Sequence, residues 1–288
     1  MEKQVMASEM IHLPRRNREA HKGDFGKVAI VGGCVGYSGA PILAARAAVR
    51  TGAGLVSVLV PEPVWPIAAC KLDSAMPWPC TAEEDGSFSF CGKEEISKQL
   101  KLTDAVLVGP GLGRSEGAAK LARFLCRRLG VPLVLDADGI NALEGHIDCL
   151  EERRDRVTVL TPHEGEFMRI GGYQAHPHRE EAALAFANTH NCVLVLKGHK
   201  TLTAFPDGTL IENQTGNPGM AKGGSGDVLA GMILSLLGQG FPLKQAVPWA
   251  VCLHGKAGDL AAEERGEYGM TPMDLVERIP AVIKNCEE

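Results

Sequence analysis

Residues 217–227 read NPGMAKGGSGD, and the apolar segment VLAGMIL follows at 228–234. The stretch holds four glycines, which predict a turn that opens directly into a helix and brings Asp227 into its first turn. Uncovered backbone N–H groups and the helix dipole both favour a bound anion at such a turn. A carboxylate beside a phosphate site suggests phosphoryl transfer, with Asp227 as the base that takes a proton from the accepting hydroxyl. The alternative is a glycine-rich turn in which Asp227 only complements the helix dipole.

The composition permits an enzyme and argues against several other classes. The chain has 288 residues, 45% of them hydrophobic, which is enough to bury a large core. The net charge of −5, with no basic block, speaks against nucleic acid as a partner. Nine cysteines without a Cys-x-x-Cys pair indicate a reducing compartment, not a disulfide or zinc framework. Because the N-terminus lacks an apolar signal core and no apolar run reaches ~20 residues, we expect a cytoplasmic protein without a membrane partner.

Short β-branched runs alternate with helical patterns from residue 27 onward, which is typical of a parallel sheet covered by helices on both faces. We predict strands at 27–32, 55–60, 105–109, 132–136, 157–161 and 193–197, and helices at 40–50, 116–129, 179–189, 227–237, 243–264 and 271–284. The segments 201–205 and 209–212, separated by a Pro-Asp-Gly turn, predict a hairpin. We expect one α/β domain over residues 21–288, preceded by residues 1–20 as an N-terminal extension or helix.

Glycine and polar clusters follow the predicted strands. In sheets of this kind the ligand binds beyond the carboxyl ends of the strands. The clusters occupy residues 32–40, 109–113, 136–139, 161–166 and 197–201. We therefore expect these loops and the 217–227 turn to share one edge of the sheet and to form an extended cleft.

Two common phosphate-binding motifs are absent from the sequence. No window supplies the G-x-x-x-x-G-K-[ST] of a Walker A loop. The glycines after the first predicted strand have the spacing Gly33-x-x-Gly36-x-x-Gly39, which is not the G-x-G-x-x-G of a dinucleotide-binding turn. These comparisons do not exclude a phosphate-binding site of another kind late in the chain.

The motif Gly224-Ser225-Gly226-Asp227 is similar to the G-x-G-D signature of the ribokinase-like superfamily, and within it the chain most resembles the ADP/ATP-dependent NAD(P)H-hydrate dehydratases. The resemblance covers roughly residues 21–280 and consists of six motifs in order. They are the glycine-rich segment 32–41 with RTGAGLV at 50–56, GPGLG at 109–113, LDADGINAL at 135–143, TPHEGE at 161–166, KGHKT at 197–201, and the 217–227 turn.

The resemblance implies a ribokinase-like fold and the repair of hydrated NADH and NADPH. A nucleotide phosphorylates the C6 hydroxyl of the S-epimer, and loss of phosphate restores the dihydropyridine ring. Bacterial members with a Thr-Pro-His-x-Gly-Glu loop tend to use ADP, so the resemblance favours ADP over ATP as the donor. Mg²⁺ is expected because phosphate charge must be neutralised, although no motif identifies its ligands.

The resemblance also assigns roles to individual residues, with Asp227 as the catalytic base. The residues that it places beside the hydrated cofactor are Ala40, Gly111, Gly113, His163 and Asp227 itself. The residues that it places beside the nucleotide are Lys197, Gly198, His199, Lys200, Thr201, Asn217, Gly223, Gly224, Ser225 and Gly226.

Several of these residues have an ordinary structural interpretation when taken alone. His163 suits a surface or helix-capping role, and Lys197 suits a solvated strand end. Asp136 and Asp138 suit metal binding, although Asp138 suits a helix N-cap at least as well. Lys222 stands where the family commonly has a small hydroxyl residue, and it either aids phosphate binding or points to solvent.

Two rival functions share these motifs. One is a kinase of a vitamin precursor such as hydroxyethylthiazole or hydroxymethylpyrimidine, and the other is a nucleotide-binding scaffold without turnover. Family precedent implies a homotetramer. The twenty or so residues before Lys22 are too few for the epimerase domain that often precedes this enzyme, so we expect it to work with a separate epimerase.

Overall fold

A ten-stranded sheet forms the centre of the computed structural model, which describes residues 3–6 and 8–287. The strands are β1 Lys3–Met6, β2 Lys27–Val31, β3 Leu55–Pro61, β4 Met76–Cys80, β5 Ala105–Val108, β6 Leu133–Leu135, β7 Thr158–Leu160, β8 Val193–Leu196, β9 Leu202–Ala204 and β10 Leu210–Asn213. Their order across the sheet is β1-β10-β9-β8-β7-β6-β5-β2-β3-β4. Strand β9 runs antiparallel to both of its neighbours, and the other pairings between described strands are parallel. The predicted mostly parallel sheet is therefore confirmed.

Helices cover both faces of this sheet. They are α1 Gly39–Arg50, α2 Trp65–Lys71, α3 Lys93–Leu100, α4 Glu116–Arg128, α5 Asp138–Asn141, α6 Glu164–Arg169, α7 Arg179–His190, α8 Ser225–Gly238, α9 Leu243–Gly269 and α10 Pro272–Lys284. Alternate strand residues enter different cores, because successive side chains of a strand point to opposite faces. In β2, Val28 and Ile30 pack with α1 and α8 on one face, whereas Ala29 and Val31 pack with α4 on the other.

All the predicted strands and helices form, with their ends displaced by a few residues, and the predicted hairpin is β9–β10. Strand β4 was missed because it reads MPWPC, and two prolines argue against a central strand. Among the described strands it pairs with β3 alone, at the edge of the sheet, where proline is tolerated. The first twenty residues hold no α-helix in their described part, and β1 instead pairs with β10. The division at residue 20 stays a prediction.

The topology brings the predicted loops to one edge. Strands β2, β5, β6, β7 and β8 are mutually parallel, so their carboxyl ends share that edge. The chain order reverses between β2 and β5, which is where ligands bind in open sheets of this kind. The loops after these two strands touch, since Gly33 N–H donates to the Pro110 carbonyl at 2.9 Å. Across the described residues, no helix combines the length and apolarity needed to cross a bilayer.

Candidate active site

A cavity of about 1000 Å³ opens at the carboxyl edge of the sheet. Two segments form much of its wall: Lys197–Thr201, here called the β8–β9 loop, and Lys222–Gly226, here called the anion turn. The predicted site residues in the lining are His163, all of the β8–β9 loop, Asn217, Gly223, Gly224, Ser225, Gly226 and Asp227.

Three predicted substrate residues do not line this cavity. Ala40, Gly111 and Gly113 lie together at the point where the strand order reverses. A Cβ atom at Gly111 would come within 3.1 Å of the Ala40 Cβ. The N–H of Gly113 donates to Asp138 Oδ2 at 3.0 Å. Asp136 and Ala137, which directly precede Asp138, line the cavity, so this group of residues adjoins it.

The anion turn leaves several hydrogen-bond donors without partners. Within the described residues, the N–H groups of Gly223, Gly224, Gly226 and Asp227 have no acceptor. The hydroxyl of Ser225 is buried and also has no partner in that part of the chain. Gly224 has φ +106° and its Cβ would meet Leu43 Cδ1 at 2.7 Å, so the turn requires glycine there. Unpaired donors at the start of α8 are suited to the oxygens of a phosphate.

Asp227 lies in the first turn of α8, next to these donors. Burial, followed by the neighbouring carboxylate of Asp136, raises the pKa of Asp227 to about 7, whereas the positive charge of Lys197 opposes the increase. A carboxyl group with a pKa near neutrality can accept a proton during reaction and release it afterwards. The side chain therefore has the proton affinity that a general base needs.

Lys197 is not a solvated strand end. Its ammonium group lies 2.8 Å from Asp136 Oδ1, and the side chains are only 18% and 2% exposed. Burial alone would lower the pKa of Lys197, but the carboxylates of Asp136, Glu166 and Asp227 reverse the shift and raise it. The ammonium also lies 3.1 Å from the point where a Cβ of Gly226 would stand, so a permanent positive charge borders the anion turn.

The structure also shows the contacts of His163, Asp138 and Lys222. The Nδ1 of His163 caps α6 by accepting from the N–H groups of Gly165 and Glu166, which does not test its predicted substrate contact. Asp138 is not an N-cap, because Ala137 has that position in α5. The ammonium of Lys222 donates to the carbonyls of Tyr268, at 2.8 Å, and Met270. It therefore ties the anion turn to the end of α9.

Sequence reasoning missed two residues that support the site. Thr161 donates its hydroxyl to Asp136 Oδ1 at 2.7 Å, the same oxygen that binds Lys197. His254, in the middle of α9, has its Nε2 2.9 Å from the carbonyl oxygen of Ser225. Burial lowers the pKa of His254 to about 4, so the ring is neutral and Nε2–H is the donor. A lone histidine inside a long apolar helix gave no signal of this contact.

Comparison with known protein families identifies one that spans most of the chain. A family model described as NAD(P)H-hydrate dehydratase matches residues 28–281. The bifunctional NAD(P)H-hydrate repair enzyme of Moorella thermoacetica is 42% identical over 279 residues, which cover 96% of this chain and 52% of that protein. The ADP-dependent (S)-NAD(P)H-hydrate dehydratase of Bacillus subtilis is 35% identical, over 96% of this chain and 95% of that protein. The chain thus spans about half the length of the bifunctional relatives.

Solved structures agree with this family. The ADP/ATP-dependent NAD(P)H-hydrate dehydratase of Bacillus subtilis, co-crystallized with ATP and Mg²⁺, has a TM-score of 0.84 at 33% identity, covering 100% of both chains. A ribokinase-like superfamily protein from Enterococcus faecalis has a TM-score of 0.85 at 26% identity, covering 99% of this chain and 96% of that one. The predicted ribokinase-like fold is confirmed.

Proposed function

Because the chain belongs to the NAD(P)H-hydrate dehydratase family, we propose that it dehydrates the S-epimer of hydrated NADH or NADPH, with ADP as phosphoryl donor and AMP and phosphate as products. The relatives of matching length from Neisseria meningitidis and Bacillus subtilis are both named for an ADP-dependent activity on the S-epimer. These names favour hydrate repair over the vitamin-precursor kinase.

The observation that carries the proposal is the pairing of Asp227 with the unpaired donors of the anion turn. In the first step the C6 hydroxyl oxygen attacks the terminal phosphorus of ADP, Asp227 takes the hydroxyl proton, and AMP leaves. The N–H groups of the turn stabilise the charge on the transferring phosphoryl group. In the second step the lone pair of the ring nitrogen expels phosphate from C6. Loss of a proton from C5 then restores the C5–C6 double bond.

Mg²⁺ fits this site only in company with phosphates. No group of three His, Cys, Asp or Glu side chains is arranged to hold a metal among the described residues. Mg²⁺ is commonly bound by one or two carboxylates together with substrate phosphates and water. Asp136 and Glu166 line the cavity, and their carboxylates would hold the ion. When bound, the ion supplies neutralisation of phosphate charge.

Three further expectations belong to the same proposal. ADP is preferred to ATP, the protein assembles as a homotetramer, and a separate epimerase converts the other hydrate epimer. The contacts of Ala40, Gly111, Gly113 and His163 with the hydrated cofactor, and those of Asn217 and the β8–β9 loop with the nucleotide, are proposed on the same basis.

The test is a direct assay with purified protein, Mg²⁺, chemically hydrated NADH, and either ADP or ATP. We expect the dihydropyridine absorbance to rise only when a nucleotide is present, with AMP and phosphate formed from ADP. Folded protein that gives no rise with either nucleotide would rule out the proposal. Formation of a stable phosphorylated thiazole or pyrimidine alcohol at a higher rate would favour the kinase instead.

A further inference from the structure

Arg179, the first residue of α7, lies against the β8–β9 loop. Its Nη1 donates to the carbonyl oxygens of His199 at 3.4 Å and Lys200 at 3.0 Å, and its Nη2 donates to the carbonyl of Leu196 at 2.8 Å. Three carbonyl groups, one at the end of β8 and two in the β8–β9 loop, therefore converge on a single guanidinium. The planar fork of five N–H donors is suited to such a contact, whereas the ammonium of lysine is not.

The conformation of the loop depends on where these carbonyls point. Lys200 has φ +57°, a left-handed conformation that is unfavourable for a residue with a side chain. With the carbonyls turned towards Arg179, the N–H groups of Gly198, His199 and Lys200 have no acceptor among the described residues. These three residues line the cavity. Successive free N–H groups around a left-handed residue form a concavity that binds anions.

The other side of the Arg179 guanidinium reaches a second loop of the site. Its Nε donates to Glu164 Oε1 at 2.6 Å, and the hydroxyl of Tyr173 donates to the other oxygen of this carboxylate. Glu164 is the first residue of α6, directly after His163. Arg179 thus fixes the β8–β9 loop to the start of the helix that begins at the His163 loop.

We propose that Arg179 is a positioning residue for nucleotide binding. It is absent from the cavity lining, so it acts through the β8–β9 loop, whose N–H groups it keeps directed at the phosphates or sugar of the nucleotide. The inference rests on the proposed function for the identity of this ligand, but not for the role of Arg179 in ordering the loop.

The test uses two variants of the full chain, Arg179→Lys and Arg179→Gln. We expect ADP to bind about 10-fold more weakly to each, because charged hydrogen bonds to the loop carbonyls are lost or reduced. The KM for the hydrate should change little, and kcat by less than about 3-fold. Hydrogen exchange at the amides of residues 198–200 should become faster without any ligand. Glu164→Gln keeps the carbonyl contacts of Arg179 and should weaken ADP binding less.

A matched control lies at the other end of α7. Arg154 also joins a carboxylate to a backbone carbonyl, since its Nη1 contacts Glu151 Oε2 at 2.8 Å and the Thr189 carbonyl at 2.6 Å, away from the cavity. Arg154→Lys and Arg154→Gln should leave ADP affinity and loop exchange unchanged.

The outcomes separate the inference from the proposed function. Unchanged exchange at 198–200, or ADP affinity that falls equally in the Arg154 variants, would overturn the role of Arg179. Equal losses of ADP and hydrate affinity together with a lower Tm would overturn it as well, since they indicate general destabilisation. If the wild-type chain dehydrates nothing but the Arg179 variants exchange faster and bind ADP less well, only the dehydratase proposal fails.

Discussion

The ammonium of Lys197 and the carboxylate of Asp136 form a buried ion pair of 2.8 Å between residues 61 positions apart in the chain. The pair joins the carboxyl ends of β8 and β6, and the hydroxyl of Thr161 after β7 donates to the same carboxylate oxygen. Both charges act on Asp227 in opposite directions: Asp136 raises its pKa and Lys197 lowers it. Burial is the main cause of the raised pKa of Asp227, and these two residues then adjust that pKa in opposite directions.

Removing either charge should shift the pH dependence of the reaction, and the two shifts should have opposite signs. Asp136→Asn removes a negative neighbour of Asp227, so the lower midpoint of the pH profile of kcat/KM should fall. Lys197→Met removes the opposing positive charge, so the midpoint should rise. Midpoints are compared at saturating Mg²⁺ and ADP, because Asp136 is also expected to hold Mg²⁺ and Lys197 to affect nucleotide affinity. Shifts in the same direction would contradict this balance. Asp148→Asn, at a side chain that is 65% exposed, serves as the control.

The variant Asp227→Asn should lose turnover while it still binds nucleotide. A general base contributes about 10²–10⁴-fold to the rate, and the amide cannot take the hydroxyl proton. The donors of the anion turn are backbone groups and remain in place. The measurement is kcat from the dihydropyridine assay together with ADP affinity from calorimetry. Unchanged turnover in this variant would exclude Asp227 as the base.

The raised pKa of Asp227 also makes a prediction about stability. Its pKa is 3.8 in the unfolded chain and about 7 in the folded protein, so the folded state binds more protons between these values. Its contribution to folding is most favourable below the lower value and declines as the pH rises through this window. Asp227→Asn should therefore raise Tm more at about pH 8 than at about pH 5, although activity is lost. An equal change of Tm at both values would contradict the pKa assignment.

Much of the architecture could be predicted because it depends on local pattern. Apart from Lys27 and Lys197 at their ends, the runs at 27–32, 105–109 and 193–197 are apolar, as strands buried on both faces must be, and all of them form strands. The edge strands β1 and β4 could not be predicted in this way. Their side chains are mostly exposed, and they form through pairing with β10 and β3.

The candidate site was predictable where glycine turns and motif order mark it, and not where distant side chains meet. The anion turn could be predicted because Gly224 has a positive φ and lies close to its neighbours, which only glycine allows. The burial of Lys197, the position of His254 beneath Ser225 and the guanidinium of Arg179 behind its loop all depend on tertiary contacts. Residue type alone predicts that the Lys197 side chain is exposed at the end of a strand, but in the folded protein it is largely buried.

Gly224→Ala should lower stability and ADP affinity more than Gly240→Ala does, because the anion turn is closely packed at Gly224. Gly224 and Gly240 both have positive φ, at +106° and +83°, but only at Gly224 would a Cβ clash, with Leu43 at 2.7 Å and Pro272 at 2.9 Å. The strain of a left-handed alanine is about 1–2 kcal/mol at each site. The additional loss of free energy of unfolding and of ADP affinity in Gly224→Ala over Gly240→Ala measures the close packing of the turn. Equal losses would contradict it.

His254 should support the anion turn from beneath, as the donor to the Ser225 carbonyl. His254→Leu removes this donor from the carbonyl, which then keeps only its bond within α8, so the free energy of unfolding should fall by about 0.5–1.5 kcal/mol and ADP should bind less tightly. His254→Gln keeps an N–H donor and should recover part of both losses. The pKa of the histidine is lowered to about 4 from 6.5, so the unfolded chain binds more protons in that window and wild-type stability should decline as the pH falls through it. Both variants lack this titration and should show a weaker pH dependence of Tm there. If Gln and Leu behave alike in ADP affinity and stability, the hydrogen bond to Ser225 does not hold the turn.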